Sequence, residues 1–320
     1  MPGPHHLLRR WRTLASATVA LFAATGVALA QPGLGEPDTC TLEAGPTGSV
    51  VRVIDAETVL LDGGVEVRLI GALAPRSPDL SPEAQSWPPE DEATAALREL
   101  ALGRTVTLAT AGRARDRHGR SLAHLFIDRD GERVWVQGEM LRMGHARAYG
   151  LPGSHACMHE LLAHENVARE AGAGLWANGA YRVRSARHTR DLLRRRNAYE
   201  IVAGEVAKVS VTKTRTYINF GRDWRSDFTA GIEARVLRAN PEWAKTLSEL
   251  EGRRVEVRGW IQYRNGPYID IEHPSQIVAA EEHLPGPTPP RPDAMTSSGR
   301  TAPHAKEKRP EPEAPGALDL

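Results

Sequence analysis

Arginines are the side chains of this 320-residue chain whose type and spacing best suggest chemistry. A guanidinium group pairs with phosphate oxygens through parallel hydrogen bonds and needs no metal to do so. Candidate anion-binding arginines fall in two stretches of the sequence: Arg68, Arg76, Arg113, Arg115, Arg117 and Arg120. Asp55 and Glu57 precede them and offer oxygens for a weak, residual metal site. The pattern predicts an arginine-lined cleft for anions; in the alternative, these arginines pair with the domain's own acids.

The overall charge excludes one class of protein. Lys and Arg number 41 and Asp and Glu number 40, so the formal charge is +1. A general polycation that binds nucleic acid by bulk attraction is therefore ruled out, and any such binding must be local. With 41% hydrophobic and 25% charged residues, a chain of this length is expected to form about two compact domains.

The N-terminus has the pattern of an export signal. Arg9 and Arg10 precede an apolar run over residues 14–27, and Ala28-Leu29-Ala30 supplies small residues before Gln31. The run is shorter than the roughly 20 residues that span a bilayer, which favours a cleaved signal over the alternative of an uncleaved anchor. We therefore expect an exported protein, periplasmic or secreted, with no transmembrane segment in the mature chain; the paired arginines also allow a twin-arginine route.

The expected export determines how the two cysteines are interpreted. In an oxidising compartment Cys40 and Cys157 are expected to form a disulfide. The alternative is a metal site, because His155 and His159 flank Cys157 at alternate positions, but an oxidised cysteine could not be a ligand.

Hydrophobic periodicity predicts two β-rich domains with a few helices. Short alternating strands start near residue 51, helices are expected from Pro88, over 136–143 and over 157–171, and strands resume near residue 200. The predicted organisation is a signal peptide at 1–30, a leader at 31–47, a first domain at 48–180, an Arg-rich linker at 181–197, a second domain at 198–280 and a disordered Pro-rich tail at 281–320. The linker is expected to be a solvated helix or hinge, or else a contact for phosphate or anionic lipid.

Four blocks in the first domain resemble the staphylococcal nuclease (thermonuclease) family: residues 53–58, 67–76, 116–120 and 172–176. The resemblance covers roughly residues 48–178. It implies a mainly β fold with added helices, an OB-type barrel that cleaves DNA or RNA phosphodiesters with Ca²⁺. The second domain, with three strands, a helix and two more strands, is expected to be a smaller OB-type barrel.

The family's site residues match unevenly. The resemblance places the two phosphate-binding arginines at Arg68 and Arg120 and a metal carboxylate at Glu57. The second metal carboxylate falls on Leu73, which has no oxygen, and the general-base glutamate falls on Arg76, which cannot accept a proton. A positioned general base contributes about 10² to 10⁴ in rate, so ordinary thermonuclease turnover is not expected.

Three functions remain open. The favoured function is that of an exported protein that binds nucleic acid or another polyanion without efficient cleavage. No cofactor is assigned to this function. In the second, a divergent metal-dependent endonuclease keeps Ca²⁺ because Asp79 or Glu83 replaces the missing acids. The third is an envelope module that contacts protein or glycan.

Aromatic residues in the second domain suggest a base-stacking platform with nearby cations. The candidates are Tyr217, Phe220, Trp224, Trp260, Tyr263 and Tyr268, with Lys213, Arg215, Arg222 and Arg264. The alternative is that the aromatic side chains fill the barrel core.

Overall fold

The computed structural model describes residues 40–76 and 88–280. The predicted signal peptide, most of the predicted leader and the predicted tail lie outside the described residues, as do Asp79 and Glu83. The described residues all belong to one compact unit, Leu34–Leu320. Their buried apolar side chains form two separate clusters, one in each predicted barrel.

Seventeen strands and six α-helices make up the described part of the chain. The strands are β1 Glu43–Asp55, β2 Thr58–Leu61, β3 Glu66–Leu69, β4 Gly71–Leu73, β5 Thr105–Thr110, β6 Ser121–Arg129, β7 Glu132–Trp135, β8 Arg147–Tyr149, β9 Arg184–Ser185, β10 Tyr199–Glu205, β11 Lys208–Val211, β12 Arg215–Asn219, β13 Thr229–Glu233, β14 Arg254–Trp260, β15 Gln262–Tyr263, β16 Pro267–Ile271 and β17 Ile277–Ala279. The helices are α1 Pro88–Ala101, α2 Val136–Arg142, α3 Met158–Ala171, α4 Thr189–Arg194, α5 Ala234–Ala239 and α6 Pro241–Thr246.

The first barrel is closed by five strands. The long strand β1 pairs antiparallel with β2 and with β5, β2 continues to β3, and β5 pairs with β6. A parallel pairing of β3 with β6 completes the circle. The mainly β fold with a thermonuclease-like barrel is confirmed. Strand β1 begins at Glu43, inside the segment predicted as a leader, and the short pair β4 and β8 was not predicted.

Local sequence explains the helices around this barrel. Helix α1 begins at a Pro-Pro pair with acids in its first turn, and its buried side chains include Leu97 and Leu100. Helix α3 ends at Gly172, whose left-handed backbone (φ 59°) suits glycine. Strand β6 departs from simple alternation, with six consecutive buried residues. Such a run indicates that both of its faces are covered.

The second barrel has the same strand connections. Strand β10 leads into β11; β10 pairs with β14, and β11 pairs with β12. Strand β12 pairs with β13, a parallel pairing joins β13 to β16, and the short β15 that follows β14 pairs with β16. This is the five-stranded OB-type order with the α5 and α6 helices inserted between its third and fourth strands.

Two linker arginines hold the start of the second barrel. Arg184 and Arg195 each bond one oxygen of the buried Glu200 carboxylate on β10. Strand β9 adds a short parallel edge to β10. This part of the predicted linker is therefore folded against the barrel, and both guanidinium groups have an acidic partner.

The two barrels pack against each other around a buried ion pair. Glu165 of α3 and Arg258 of β14 are 0% and 2% exposed, and Arg258 Nη1 donates to Glu165 Oε2 at 2.9 Å. Glu165 Oε1 also accepts from the Ala148 amide. Burial alone would lower the pKa of Arg258, but the charges of Glu165, Tyr199 and Glu256 together with the Glu165 hydrogen bond outweigh it and raise the pKa. At the rim, Arg169 forms two hydrogen bonds with Glu256.

A disulfide joins Cys40, just before β1, to Cys157, at the start of α3. The expected pairing is confirmed, and the bridge closes a loop with a sequence separation of 117. Within the described ranges, no helix combines the length and apolar character needed to span a membrane.

Replacing both cysteines, Cys40→Ala with Cys157→Ala, is expected to lower the free energy of unfolding by roughly 4 to 5 kcal/mol, because the unfolded chain regains the entropy of a long loop. Urea unfolding measures the difference. Dithiothreitol should destabilise the natural chain and leave the double variant unchanged. Equal midpoints for the two proteins would contradict a structural role for the bridge.

Breaking the buried pair is expected to cost far more than breaking an exposed one. Glu165→Gln or Arg258→Met should each destabilise by about 3 to 5 kcal/mol, since each leaves a buried group without its partner. The matched control is Arg194→Gln, which breaks the exposed pair with Asp191 and should cost less than about 1 kcal/mol. A double-mutant cycle by urea unfolding gives the coupling energy; additive losses would show that the two side chains do not depend on each other.

Candidate anion-binding site

Glu57 lies in the tight turn that connects β1 to β2. Asp55 Oδ1 accepts the Glu57 amide at 2.7 Å, which fixes the turn and occupies one carboxylate oxygen of Asp55. The Leu69 amide of β3 donates to the Glu57 carbonyl. The backbone around Glu57 is therefore held from both sides, and its side chain is directed into a buried position with 4% of its surface exposed.

The Glu57 carboxylate is surrounded by donors. Its Oε1 accepts the Ala74 amide at 2.9 Å, and its Oε2 accepts from Arg76 Nη2 at 2.6 Å. Arg68 Nη2 lies 3.5 Å from the same Oε2. Both oxygens are thus hydrogen-bonded and the carboxylate charge is compensated by two guanidinium groups. A metal ion at Glu57 would have to displace Arg76 and would lie beside two positive charges.

The rest of the described donor set does not fit Ca²⁺. Leu73 is 4% exposed and brings no oxygen, and Asp55 is committed in part to its own turn. Ca²⁺ takes six to eight oxygen ligands. Among the described residues, the one cluster of three groups with metal-ligand atoms close together is Cys40, Cys157 and Glu160, and its two sulfurs are bonded to each other.

Arg120 is positioned by the turn that precedes β6. Asp116 Oδ1 accepts the amides of His118 and Arg120, and its Oδ2 accepts from Arg120 Nε at 2.8 Å. Burial raises the pKa of Asp116, but the hydrogen bonds from Arg120 and these amides outweigh it and lower the pKa below its usual value. Arg120 Nη1 reaches Thr58 Oγ1 at 3.4 Å.

Three arginine side chains therefore contact two adjacent residues, Glu57 and Thr58. Arg68 and Arg76 contact Glu57, and Arg120 contacts the neighbouring Thr58. We call these three side chains the arginine cluster. Arg68 and Arg120 keep about a fifth of their side-chain surface exposed, and Arg76 keeps half, so solvent reaches all three.

The other predicted anion-binding arginines lie on the exposed loop between β5 and β6. Arg115 donates to the Gly119 carbonyl at 2.8 Å, and Arg117 donates to the His118 ring at 3.1 Å. Arg113 is exposed on the same loop. Among the described contacts none of the three bonds Glu57 or Thr58, so they take no part in the contacts that define the arginine cluster.

Tyr149 is a site residue that the sequence analysis missed. It pairs with Gly71 through β8 and β4, two strands that were not predicted. Burial raises the pKa of Tyr149, and its ring packs edge-on against Tyr199 and Trp260. Tyr149 can be found only from the pairing of β8 with β4, and local sequence does not reveal that pairing.

The predicted metal alternative around Cys157 is wrong. Cys157 is bonded to Cys40 and cannot act as a thiolate ligand. His155 instead stacks on His273 of the second barrel with ring centroids 4.5 Å apart. Burial and the His273 charge lower the pKa of His155 to about 4, which keeps the stacked ring neutral.

One comparison with known proteins found a match in the first barrel. Residues 66–178 match the family model described as staphylococcal nuclease homologue. The match supports the predicted thermonuclease-like domain and includes three of the four sequence blocks, those at 67–76, 116–120 and 172–176. A search of curated proteins found no match for the chain.

Behind the arginine cluster, β6 carries the buried His124. Its ring contacts the Trp135 ring edge-on at 5.2 Å, and among the described residues its Nδ1 has no hydrogen-bond partner. Gly71 must be glycine here, because a Cβ would lie 2.5 Å from a Leu161 methyl and 3.0 Å from His124. Burial lowers the pKa of His124 to about 3.

Acid is expected to destabilise the domain through His124. Below its ordinary pKa of 6.5, the unfolded chain binds a proton that the folded chain refuses until pH falls to about 3, so stability falls across this range by several kcal/mol. His124→Phe should flatten the pH dependence of the unfolding free energy between pH 6.5 and 4. The exposed His118→Phe is the matched control, and identical slopes in the two variants would contradict this account.

Proposed function

We propose that this protein is an exported binding protein that holds nucleic acid or a related phosphate-rich polyanion at the arginine cluster and does not cleave it efficiently. One observation carries the proposal: the buried Glu57 carboxylate is already compensated by Arg76 and Arg68. An ion pair stands where the thermonuclease resemblance implies a metal centre. The domain thus keeps a phosphate-binding surface with a donor set unsuited to Ca²⁺.

The arginine cluster supports phosphate binding without a metal. Arg68 and Arg120 match the family's phosphate-binding positions, and each is held by an acid that still leaves part of its surface open. Preordering a guanidinium reduces the entropy lost when it binds a ligand. Each of the three guanidinium groups keeps part of its side-chain surface open to solvent.

Weak catalysis follows from the positions of Leu73 and Arg76. The general base expected at position 76 is replaced by a cation, and the metal oxygen expected at position 73 is replaced by a buried aliphatic group. Each loss lowers the rate by orders of magnitude. The segment with Asp79 and Glu83 lies outside the described residues, so the nuclease hypothesis is decided by assay.

Export is part of the proposal. The Cys40–Cys157 bridge supports it, because disulfides persist in oxidising compartments. The arginine-led apolar run before Gln31 supplies the signal. The intact mass of chain recovered from an exported fraction checks both points, with a mature start at Gln31 and two fewer hydrogens than the dithiol.

Cleavage and binding assays test the function. The mature chain is expected to leave single-stranded DNA and RNA intact in Ca²⁺, Mg²⁺ or Mn²⁺, and to bind both in EDTA with affinity that falls steeply with salt. Arg68→Gln with Arg120→Gln should weaken binding at least tenfold and reduce the salt slope by about 1. The control Arg142→Gln removes an exposed arginine paired with Glu139 and should bind normally.

A gain-of-function variant sharpens this test. Leu73→Asp with Arg76→Glu returns acids to the two positions and removes the guanidinium from Glu57, so Ca²⁺-dependent cleavage should appear or rise by orders of magnitude. Efficient cleavage by the natural chain, abolished by Glu57→Ala or Arg120→Ala, would overturn the proposal in favour of a divergent nuclease.

A further inference from the structure

The second barrel contains a cavity of about 500 Å³ on the outer face of its β11–β12–β13 strands. Its volume lies within the usual range for ligand sites. The lining residues come from β11, β12, the loop after β12, β13 and the turn between β15 and β16: Lys208, Ser210, Tyr217, Asn219, Gly221, Arg222, Trp224, Thr229, Arg264, Asn265 and Tyr268. We call this the second-barrel cavity.

The cavity is cationic. Lys208, Arg222 and Arg264 are exposed at its edge, and no ion-pair partner for any of them occurs among the residues the structure describes. The described lining includes no Asp or Glu. Two acids lie beside the cavity: Asp223 accepts from the Arg225 amide and from Ser226, and Asp227, next to the lining residue Gly221, accepts from the Asp223 amide. A ligand that fits this lining carries negative charge.

The cavity also offers aromatic surfaces. Trp224 is 52% exposed, and Arg225 lies over one face of its ring at 4.6 Å, which leaves the opposite face for a stacked group. Tyr217 is half-buried beside it. An indole exposed to this extent next to unpaired cations suits a planar, anionic ligand better than a neutral sugar or an apolar peptide.

Tyr268 forms a fixed base for the cavity. Its hydroxyl accepts from Arg215 at 2.8 Å and donates to Asp270 at 3.1 Å, and Arg264 lies over its ring. Burial and the Asp270 charge raise its pKa to about 12, so it stays a neutral donor. Gly231 is required beneath it, because a Cβ there would lie 1.7 Å from the Tyr268 oxygen.

The aromatic residues suggested from the sequence divide between different places. Tyr217, Trp224 and Tyr268 line the cavity, whereas Phe220 belongs to the barrel core and Trp260 packs against Tyr199. Arg215 is bonded to Asp270 and Glu233 and does not line it. The core alternative therefore holds for Phe220, whereas Tyr217, Trp224 and Tyr268 remain the candidates for a stacking platform.

We propose that the second-barrel cavity binds nucleotide units of single-stranded nucleic acid. A base stacks on Trp224 and Tyr217, and the flanking phosphates bind Lys208, Arg222 and Arg264. Asn265 is exposed in the lining and supplies an amide group for hydrogen bonds to the base edge, whereas the Asn219 amide is already bonded to Thr229 and to the Lys208 carbonyl. This site is separate from the arginine cluster and goes beyond the function proposed above.

The test uses the mature chain in EDTA with Arg68→Gln and Arg120→Gln as background, so that the arginine cluster does not contribute. A fluorescein-labelled 12-mer of oligothymidylate is the probe, and anisotropy is the readout. Trp224→Leu is expected to weaken binding about tenfold, the loss of one stacked base. Arg222→Gln with Arg264→Gln should weaken it further and lower the salt slope by about 1.

Two controls match these changes. Tyr263→Leu removes an aromatic ring that is 62% exposed but does not line the cavity, and Arg254→Gln removes an exposed arginine of β14. Both should bind the probe as the background does. An abasic 12-mer of equal charge should bind the background about tenfold more weakly, while Trp224→Leu should bind the two probes alike.

Three results would overturn the proposal. They are failure of the background protein to bind oligothymidylate, equal loss of affinity in Tyr263→Leu and Trp224→Leu, and an abasic strand or a heparin oligosaccharide that binds as tightly as oligothymidylate. The last result would mark the cavity as a site for acidic chains without bases. Competition with thymidine monophosphate distinguishes a site for single nucleotides from a site for a strand. A strand site requires that the monomer binds much more weakly than the 12-mer.

Discussion

The charge of the candidate site on the first barrel depends on one interaction, the pairing of the buried Glu57 carboxylate with Arg76 and Arg68. A buried carboxylate needs either a cation or a full set of hydrogen bonds, because burial of an unpaired charge is costly. Here the Ala74 amide, Arg76 and Arg68 supply both. The same two arginines therefore stabilise the turn between β1 and β2 and set the charge of the surface above it.

The two barrels share strand order but differ in what they present. In the first, the polar groups come from the turn after β1, the end of β4 and the turn before β6, and they are mostly charged. In the second, the second-barrel cavity carries aromatic rings as well as cations. The Glu165–Arg258 pair, buried between them, holds the two faces in one arrangement, because separating the barrels would expose two charges that have lost their water.

Much of this architecture follows from local sequence. Alternation over β2, β3 and β5, the Pro-Pro start of α1 and the glycine end of α3 predict elements close to those observed, since these patterns report burial and backbone geometry directly. Local sequence does not specify which distant segments pair with each other. The β4–β8 pair, and with it Tyr149, depends on residues 71 and 149 meeting, and the Glu165 carboxylate gives no sequence sign of its partner. An arginine in the sequence predicts a positive charge, but it does not identify the acidic residue that pairs with it.

The binding strength of each site is limited by the acids that order it. Glu57 and Asp116 hold the arginine cluster in place and also compensate part of its positive charge, so the proposed phosphate binding there is expected to be modest and to weaken quickly with salt. The second-barrel cavity adds stacking, which depends little on salt, but offers room for few nucleotides. Two modest sites on one rigid body become strong together when a single strand reaches both, because the second contact then forms at high effective concentration. If both proposed sites bind one strand, long single strands are therefore expected to bind more tightly than short ones.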